Sequence, residues 1–254
     1  MERSKRKPDS KRVSGILRRC IERLILKGVL IDFGGTLAYL DETKFREYET
    51  ALVVTLKKCG YERHLKDLAS VLASIYANSS KGELKTPKEF WSLMLAKLRI
   101  PEQPELLDVL QEVENKHVTS MWKLYEEVPA TLGILQQKHK LALVSNCTVG
   151  TDKLIRSLGL ADFFDCIILS YQVGVRKPDK RMYLEALKCL GLEAKDCAFV
   201  ADEISDLEGA REIGLETILV LQGHSTFQEA KDLNFRPDFQ ITRISEVTKI
   251  LCAH

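Results

Sequence analysis

Short apolar runs alternate with segments of helical periodicity along most of the chain. The first apolar run, residues 29–33, stops at Gly34-Gly35 and predicts a buried strand that ends in a tight turn. Strands that alternate with helices imply right-handed crossover connections. We therefore expect an α/β fold, a Rossmann-like parallel sheet with helices on both faces. The later runs lie at 141–145, 166–170, 198–201 and 217–221, with a candidate edge strand at 239–241 and helical segments at 130–138, 151–158, 180–190 and 207–213.

The alternation stops between about residues 41 and 126, where helical segments follow one another with no convincing strand. Thr86-Pro-Lys-Glu89 has the spacing of a capping box with proline at the first helical position. Pro101 and Pro104 then break the chain before another helix. We predict a helical cap at 41–126, inserted into an α/β core made of residues 28–40 and 127–254.

The N-terminal extension, residues 1–27, carries ten Lys and Arg against three acidic residues, a balance of +7. Apolar residues recur at helical spacing within 16–25, which predicts an amphipathic helix docked on its own domain. Contact with an anionic membrane or a partner, and an organellar transit peptide, are the alternatives. A single short helix seldom holds a protein on a membrane, so we expect no stable membrane association.

The net charge of the rest of the chain must be −5, because the net charge of the whole chain is only +2. A mildly acidic body is a poor nucleic-acid surface, so we expect no nucleic-acid partner. The seven cysteines contain no C-x-x-C pair, and an odd count in a chain of 254 residues favours reduced thiols in the cytoplasm. We expect a monomer or a homodimer.

Polar or charged residues lie at or just after the ends of four predicted strands. The carboxyl ends of parallel strands face one crevice, so these side chains should meet there. Carboxylates and main-chain carbonyls suit Mg²⁺, while lysine and serine can hold phosphoryl oxygens. A carboxylate nucleophile would form an aspartyl-phosphate that water later hydrolyses. The residues concerned are Asp32, Ser145, Asn146, Lys177, Asp202 and Asp206.

Four blocks of sequence resemble the motifs of the haloacid-dehalogenase-like hydrolases. Residues 30–37 (LIDFGGTL) are similar to the first motif, hhDxDGT, and residues 143–146 (LVSN) to the second. Residues 173–179 (VGVRKPD) are similar to the third motif, and residues 199–206 (FVADEISD) to the fourth, with its D-x-x-x-D spacing.

The resemblance implies a Mg²⁺-dependent phosphatase that acts on a small phosphorylated metabolite. Asp32 would be the nucleophile, and the metal would be bound by Asp32, Asp202 and the main-chain carbonyl of Gly34, with Asp206 in or beside that shell. The transferring group would be held by Ser145 and Lys177, within a substrate-binding set that also includes Gly34, Gly35 and Asn146.

The first motif departs from the pattern at Gly34, where phosphatases of the family have a second Asp that acts as general acid and base. Losing a general acid costs about 10²–10⁴-fold in rate when the leaving group needs a proton. The substrate could have a good leaving group, or water or a cap side chain could replace the acid, with Arg46, Tyr48, His64 and Lys88 as candidates.

Phosphonate cleavage needs an amine in the cap for imine formation, and several cap lysines leave that function open. Two other functions also stay open. One is a binding or regulatory protein that captures phosphorylated ligands with weak turnover. The other is a metal-independent 2-haloacid dehalogenase, although Asp202 and Asp206 are acidic residues that such enzymes lack. We expect Trp91 and Trp122 to be core residues of the cap.

Overall fold

The computed structural model describes residues 26–62, 67–79, 82–222 and 235–252. The predicted amphipathic helix of the extension lies outside these residues, as do His64 and the last two residues. No helix within the described part of the chain is long and apolar enough to cross a membrane.

A six-stranded parallel sheet forms the core, as predicted. Its strands are β1 Gly28–Ile31, β4 Lys140–Ser145, β5 Cys166–Leu169, β6 Cys197–Ala201, β7 Glu216–Val220 and β8 Phe239–Ile241. Their spatial order is β5-β4-β1-β6-β7-β8, so the first strand lies in the middle, with β4 and β6 on either side. Ile31 of β1 is in register with Leu143 of β4 and with Val200 of β6. The ends of these three strands therefore lie side by side.

Helices cover both faces of this sheet because each has one apolar stripe. The helix Lys180–Leu190 shows the local signals clearly: Asp179 caps its first turn by accepting from the Arg181 amide, and Gly191 ends it in the left-handed conformation. The core helices are α5 Val128–Leu135, α6 Thr151–Ser157, α7 Ser170–Val173, α8 Lys180–Leu190, α9 Ile204–Glu212 and α10 Val247–Leu251.

Four helices lie between the first and second strands of the core, at the place predicted for the cap. They are α1 Glu42–Lys58, α2 Leu68–Ser79, α3 Pro87–Lys97 and α4 Pro104–Met121. The predicted capping box opens α3, where the Thr86 hydroxyl accepts from the Glu89 amide. Pro104 occupies the first turn of α4, so it opens this helix and does not lie in the break before it.

Two short strands join these helices to the core and were missed in the sequence. Strand β2, Ala38–Leu40, pairs antiparallel with β3, Trp122–Leu124. Each strand has three residues, which is too short for an alternating pattern to be recognised. This ribbon places Trp122 close to the first motif.

The prediction that the cysteines are all reduced is wrong for one pair. Cys166 at the start of β5 and Cys189 in α8 form a disulfide across 23 residues of sequence. Cysteine spacing could not reveal this pair, because the packing of α8 on β5 brings the two residues together. Cys59, Cys147, Cys197 and Cys252 are free thiols.

Candidate active site

The strand ends bring the predicted charged residues together in one buried cluster. The Lys177 ammonium lies 2.6 Å from Oδ1 of Asp32 and 2.9 Å from Oδ2 of Asp206. Both carboxylates and the lysine are almost fully buried. One cation therefore bridges the end of β1 and the first turn of α9.

Asp32 is held rigidly where β1 leaves the sheet. Its amide donates to Val200 O at 2.9 Å, and its Oδ1 accepts from the Phe33 amide at 2.7 Å. The chain then turns at Gly35, whose φ of +76° favours glycine and whose amide donates to Ala38 O. The first motif thus fixes the direction of the predicted nucleophile.

Lys177 is positioned by Asn146, which we predicted to bind substrate. The Asn146 Oδ1 accepts from the Lys177 amide at 2.7 Å, and its Nδ2 donates to Lys177 O at 3.1 Å. Both ends of the Asn146 amide are therefore engaged with the loop that carries the lysine. The ammonium group also lies 5.3 Å from the centroid of the Phe199 ring, a cation–π distance.

Asp202 packs against the turn of the first motif. A Cβ added at Gly35 would lie 1.9 Å from Oδ2 of Asp202, so only glycine fits there. The Thr36 hydroxyl donates to Oδ1 of Asp202 at 3.2 Å. Thr36 lies inside the first motif, but we assigned it no role from the sequence, although a buried threonine beside a carboxylate is a positioning residue.

The electrostatics of the cluster follow from burial and from the closeness of the carboxylates. Burial alone would lower the pKa of Lys177, but Asp206 and Asp32 outweigh it and raise that pKa above its usual value. Burial, and then the neighbouring Asp32, raise the pKa of Asp202 to about 7. Burial also raises the pKa of Asp32, against the attraction of Lys177. The cluster thus holds more negative charge than one lysine neutralises.

This excess of negative charge fits a divalent cation. Among the described residues no three His, Cys, Asp or Glu side chains come together as a metal site. The predicted ligand set has only two side chains, the Asp32 and Asp202 carboxylates, and its third ligand is the main-chain carbonyl of Gly34. All three are hard oxygen ligands. Asp206, like Asp32, forms an ion pair with Lys177, and its place in or beside the metal shell stays a prediction.

A cavity of about 670 Å³ lies between the core and the four inserted helices. Gly34, Ser145 and Asn146 line its core side, while Trp122 and Glu114 line it from the inserted segment. Trp122 is half-buried and packs against the hydrophobic core, but it also lines the cavity. Trp91 is fully buried, as expected.

None of the cap side chains named as replacement acids is placed for that role within the described residues. Arg46 is 76% exposed and pairs with Glu42, and Lys88 is exposed as well. Tyr48 is fully buried in the core and does not line the cavity. A Cβ at Gly34 would make an ordinary van der Waals contact with the indole of Trp122, at 3.7 Å.

Comparison with known proteins shows the family of this chain. The family model of the haloacid dehalogenase-like hydrolases matches residues 26–214, which include all four motifs. The chain belongs to this family. As a haloacid dehalogenase-like hydrolase, it is an enzyme.

Relatives within the family match the chain over nearly its whole length. It is 25% identical to glyceraldehyde 3-phosphate phosphatase of Methanopyrus kandleri, over 89% of this chain and 97% of the relative. It is 28% identical to phosphoglycolate phosphatase of Aquifex aeolicus, over 90% of this chain and 98% of the relative. Among solved structures, 2-haloacid dehalogenase of Pseudomonas syringae superposes with a TM-score of 0.70 at 24% identity, over 90% and 99% of the two chains.

Proposed function

We propose that this hydrolase is a Mg²⁺-dependent phosphatase that removes phosphate from a small phosphorylated metabolite through an aspartyl-phosphate at Asp32. The observation that carries the proposal is the buried cluster in which Lys177 bridges Asp32 and Asp206, with Asp202 next to them. Two relatives with names of phosphatases for small organic phosphates support the same substrate class.

The chemistry follows from the positions of the side chains. Asp32 attacks phosphorus, the bond from phosphorus to the leaving oxygen breaks, and the leaving group departs with the electron pair. Lys177 and Ser145 hold the phosphoryl oxygens as charge develops on them. Water then attacks the aspartyl-phosphate, which releases phosphate and restores the Asp32 carboxylate.

Mg²⁺ would be held by Asp32, Asp202 and the Gly34 carbonyl. When bound, it supplies positive charge that offsets the charge on the phosphoryl oxygens. Thr36 keeps Asp202 in place, and Asp206 keeps Lys177 directed at the nucleophile.

The test is phosphate release from a panel of phosphorylated metabolites, with Mg²⁺ or with EDTA. Wild type should release phosphate only with Mg²⁺, and Asp32→Asn should lose at least about 10³-fold in kcat because it lacks the nucleophile. Equal rates for wild type and Asp32→Asn would sink the assignment of Asp32.

Gly34 supports a second candidate, a phosphate-ligand binding protein with weak turnover, because the usual acid is absent from the first motif. This candidate predicts thermal stabilisation by Mg²⁺ with phosphate, but no release from any ester. Halide release from a 2-haloacid in the presence of EDTA would instead identify a dehalogenase.

A further inference from the structure

Gln222 lies where β7 leaves the sheet, at the same edge as the candidate active site. Ala201 of β6 is in register with Leu219 of β7, so the carboxyl ends of these two strands lie side by side. Asp202 follows β6 directly, and Gln222 follows β7 after one further residue. We assigned Gln222 no role from the sequence, because a glutamine after a strand is no signal by itself.

Both ends of the Gln222 side-chain amide are engaged. Its Nε2 donates to the main-chain carbonyl of Thr36 at 2.6 Å, and its Oε1 accepts from the Ile244 amide at 2.7 Å. A carbonyl can only accept and an N–H group can only donate, so these two partners together fix which way the amide points. Gln222 thereby joins segments that lie 186 and 22 residues away from it along the chain.

The Ile244 side of this connection is anchored in the core. Ile244 is fully buried and opens the short 3₁₀ turn Ile244–Glu246, which packs against α5. Next to Gln222, the Leu221 amide donates to Ile241 O at 2.9 Å. Gln222 is therefore held from the core side, and its second hydrogen bond connects the first motif to this part of the core.

The Thr36 side of the connection leads to Asp202. Thr36 is fully buried; its carbonyl accepts from Gln222, and its hydroxyl donates to Oδ1 of Asp202 at 3.2 Å. The turn at Gly35 also packs against Asp202, since a Cβ at Gly35 would overlap this carboxylate. A shift of Thr36 would therefore displace the hydrogen-bond partner of Asp202 and the turn that contains the Gly34 carbonyl.

We propose that Gln222 is a positioning residue for the proposed Mg²⁺ ligands: it holds Thr36, and through Thr36 it keeps the Asp202 carboxylate and the Gly34 carbonyl in place. This inference rests on the proposed Mg²⁺-dependent function and adds to it a residue outside the four motifs. Loss of a group that orients a metal ligand typically costs about 10–100-fold in metal affinity. Gln222 acts through one intermediate residue, so the low end of this range is expected.

The test is Mg²⁺ binding by the protein alone, measured by isothermal titration calorimetry at a temperature where circular dichroism shows each variant to be folded. Gln222→Met keeps the length of the side chain but has no donor for Thr36, so its dissociation constant for Mg²⁺ should rise about tenfold. Thr36→Val lacks the hydroxyl that bonds to Asp202 and should also weaken binding. Because both changes act through Thr36, the double variant should lose less than the product of the two single losses.

Asp238→Ala is the matched control for a loss of stability alone. Oδ2 of Asp238 accepts from the Thr217 amide, so this side chain ties β7 to the segment before β8 at the other end of these strands. The variant should lower the melting temperature but leave the dissociation constant for Mg²⁺ unchanged. If Gln222→Met does not fold, Gln222→Ala, a smaller change at this half-buried position, replaces it with the same expected loss.

An unchanged dissociation constant in the folded Gln222 variant would overturn the inference. An equal loss of Mg²⁺ binding in Asp238→Ala would also overturn it, as would full additivity in the double variant. Asp202→Asn separates this failure from that of the proposed function: if it loses the Mg²⁺ binding that the Gln222 variant retains, the metal site stands and only the role of Gln222 is rejected. If wild type binds no Mg²⁺, the metal-dependent function and the inference are both rejected.

Discussion

Glu114→Gln should stabilise the protein at alkaline pH, because the wild-type carboxyl occupies a place that disfavours its charge. Burial raises the pKa of Glu114 from 4.5 to about 7, despite the opposing hydrogen bond from Gln111 and the charge of Lys153. Between these two pH values the unfolded chain has lost the proton and the folded chain still holds it. The free energy of unfolding of wild type therefore falls as pH rises through this window, and levels off above it.

The size of the effect follows from the shift. One pKa unit corresponds to about 1.4 kcal/mol, so the full shift amounts to about 3 kcal/mol. Glu114 is half-buried and solvent screens part of its charge, so we expect about 1–2 kcal/mol. Glutamine has a similar shape and does not titrate, so it escapes this loss.

The assay is guanidinium unfolding of wild type and Glu114→Gln at pH 4.5 and at pH 8, followed by circular dichroism. The difference in unfolding free energy between the two proteins should shift by about 1–2 kcal/mol in favour of the variant at pH 8. For the exposed Glu112→Gln control the same difference should change by less than about 0.5 kcal/mol. A Glu114→Gln difference that is equal at both pH values would refute the reasoning.

Three further changes test other parts of the structure. In a phosphate-release assay, Gly34→Asp should raise kcat on alkyl phosphates at least about tenfold, because an alkoxide leaving group needs a proton. The kcat on acetyl phosphate should not change, because its leaving group does not need one. Gly34→Asn, which cannot supply a proton, should give no gain on either substrate. Gly35→Ala should abolish phosphatase activity and unfold at lower temperature, because its Cβ would overlap Asp202; Gly60→Ala has a similar φ of +86° but open space, so its melting temperature should fall much less. Dithiothreitol should lower the free energy of unfolding by about 3 kcal/mol through opening of the disulfide loop, and a double serine variant of Cys166 and Cys189 should not respond to it.

Local patterns were enough to predict the architecture of the core. The predicted strand 141–145 corresponds to Lys140–Ser145, and the predicted helix 180–190 to Lys180–Leu190. The apolar pattern and the capping residues that specify these elements lie within a few neighbouring positions, so they can be recognised in the sequence itself. The short strands β2 and β3 were not predicted, because three residues show no periodicity. They also pair with each other across the whole inserted segment.

Some features of the candidate site could be predicted from the sequence, and others depended on how distant segments pack together. The first motif gave Asp32 and the missing acid at Gly34, since both are matters of residue identity at a fixed place in one turn. The role of Asn146 was different: its two hydrogen bonds to the Lys177 main chain join residues 31 positions apart. The ion pair between Asp206 and Lys177 depended in the same way on the packing of α9.

The sequence by itself therefore determined the fold class, the order of the motifs and the candidates for the reactive groups, because strand and helix signals and motif residues are local. Only the tertiary structure decided which groups lie close together: Trp122 beside Gly34, Glu114 in the wall of the cavity that Gly34 also lines, and Cys166 joined to Cys189. Such contacts depend on how helices and strands distant in the chain pack together. No pattern within a single segment specifies that packing.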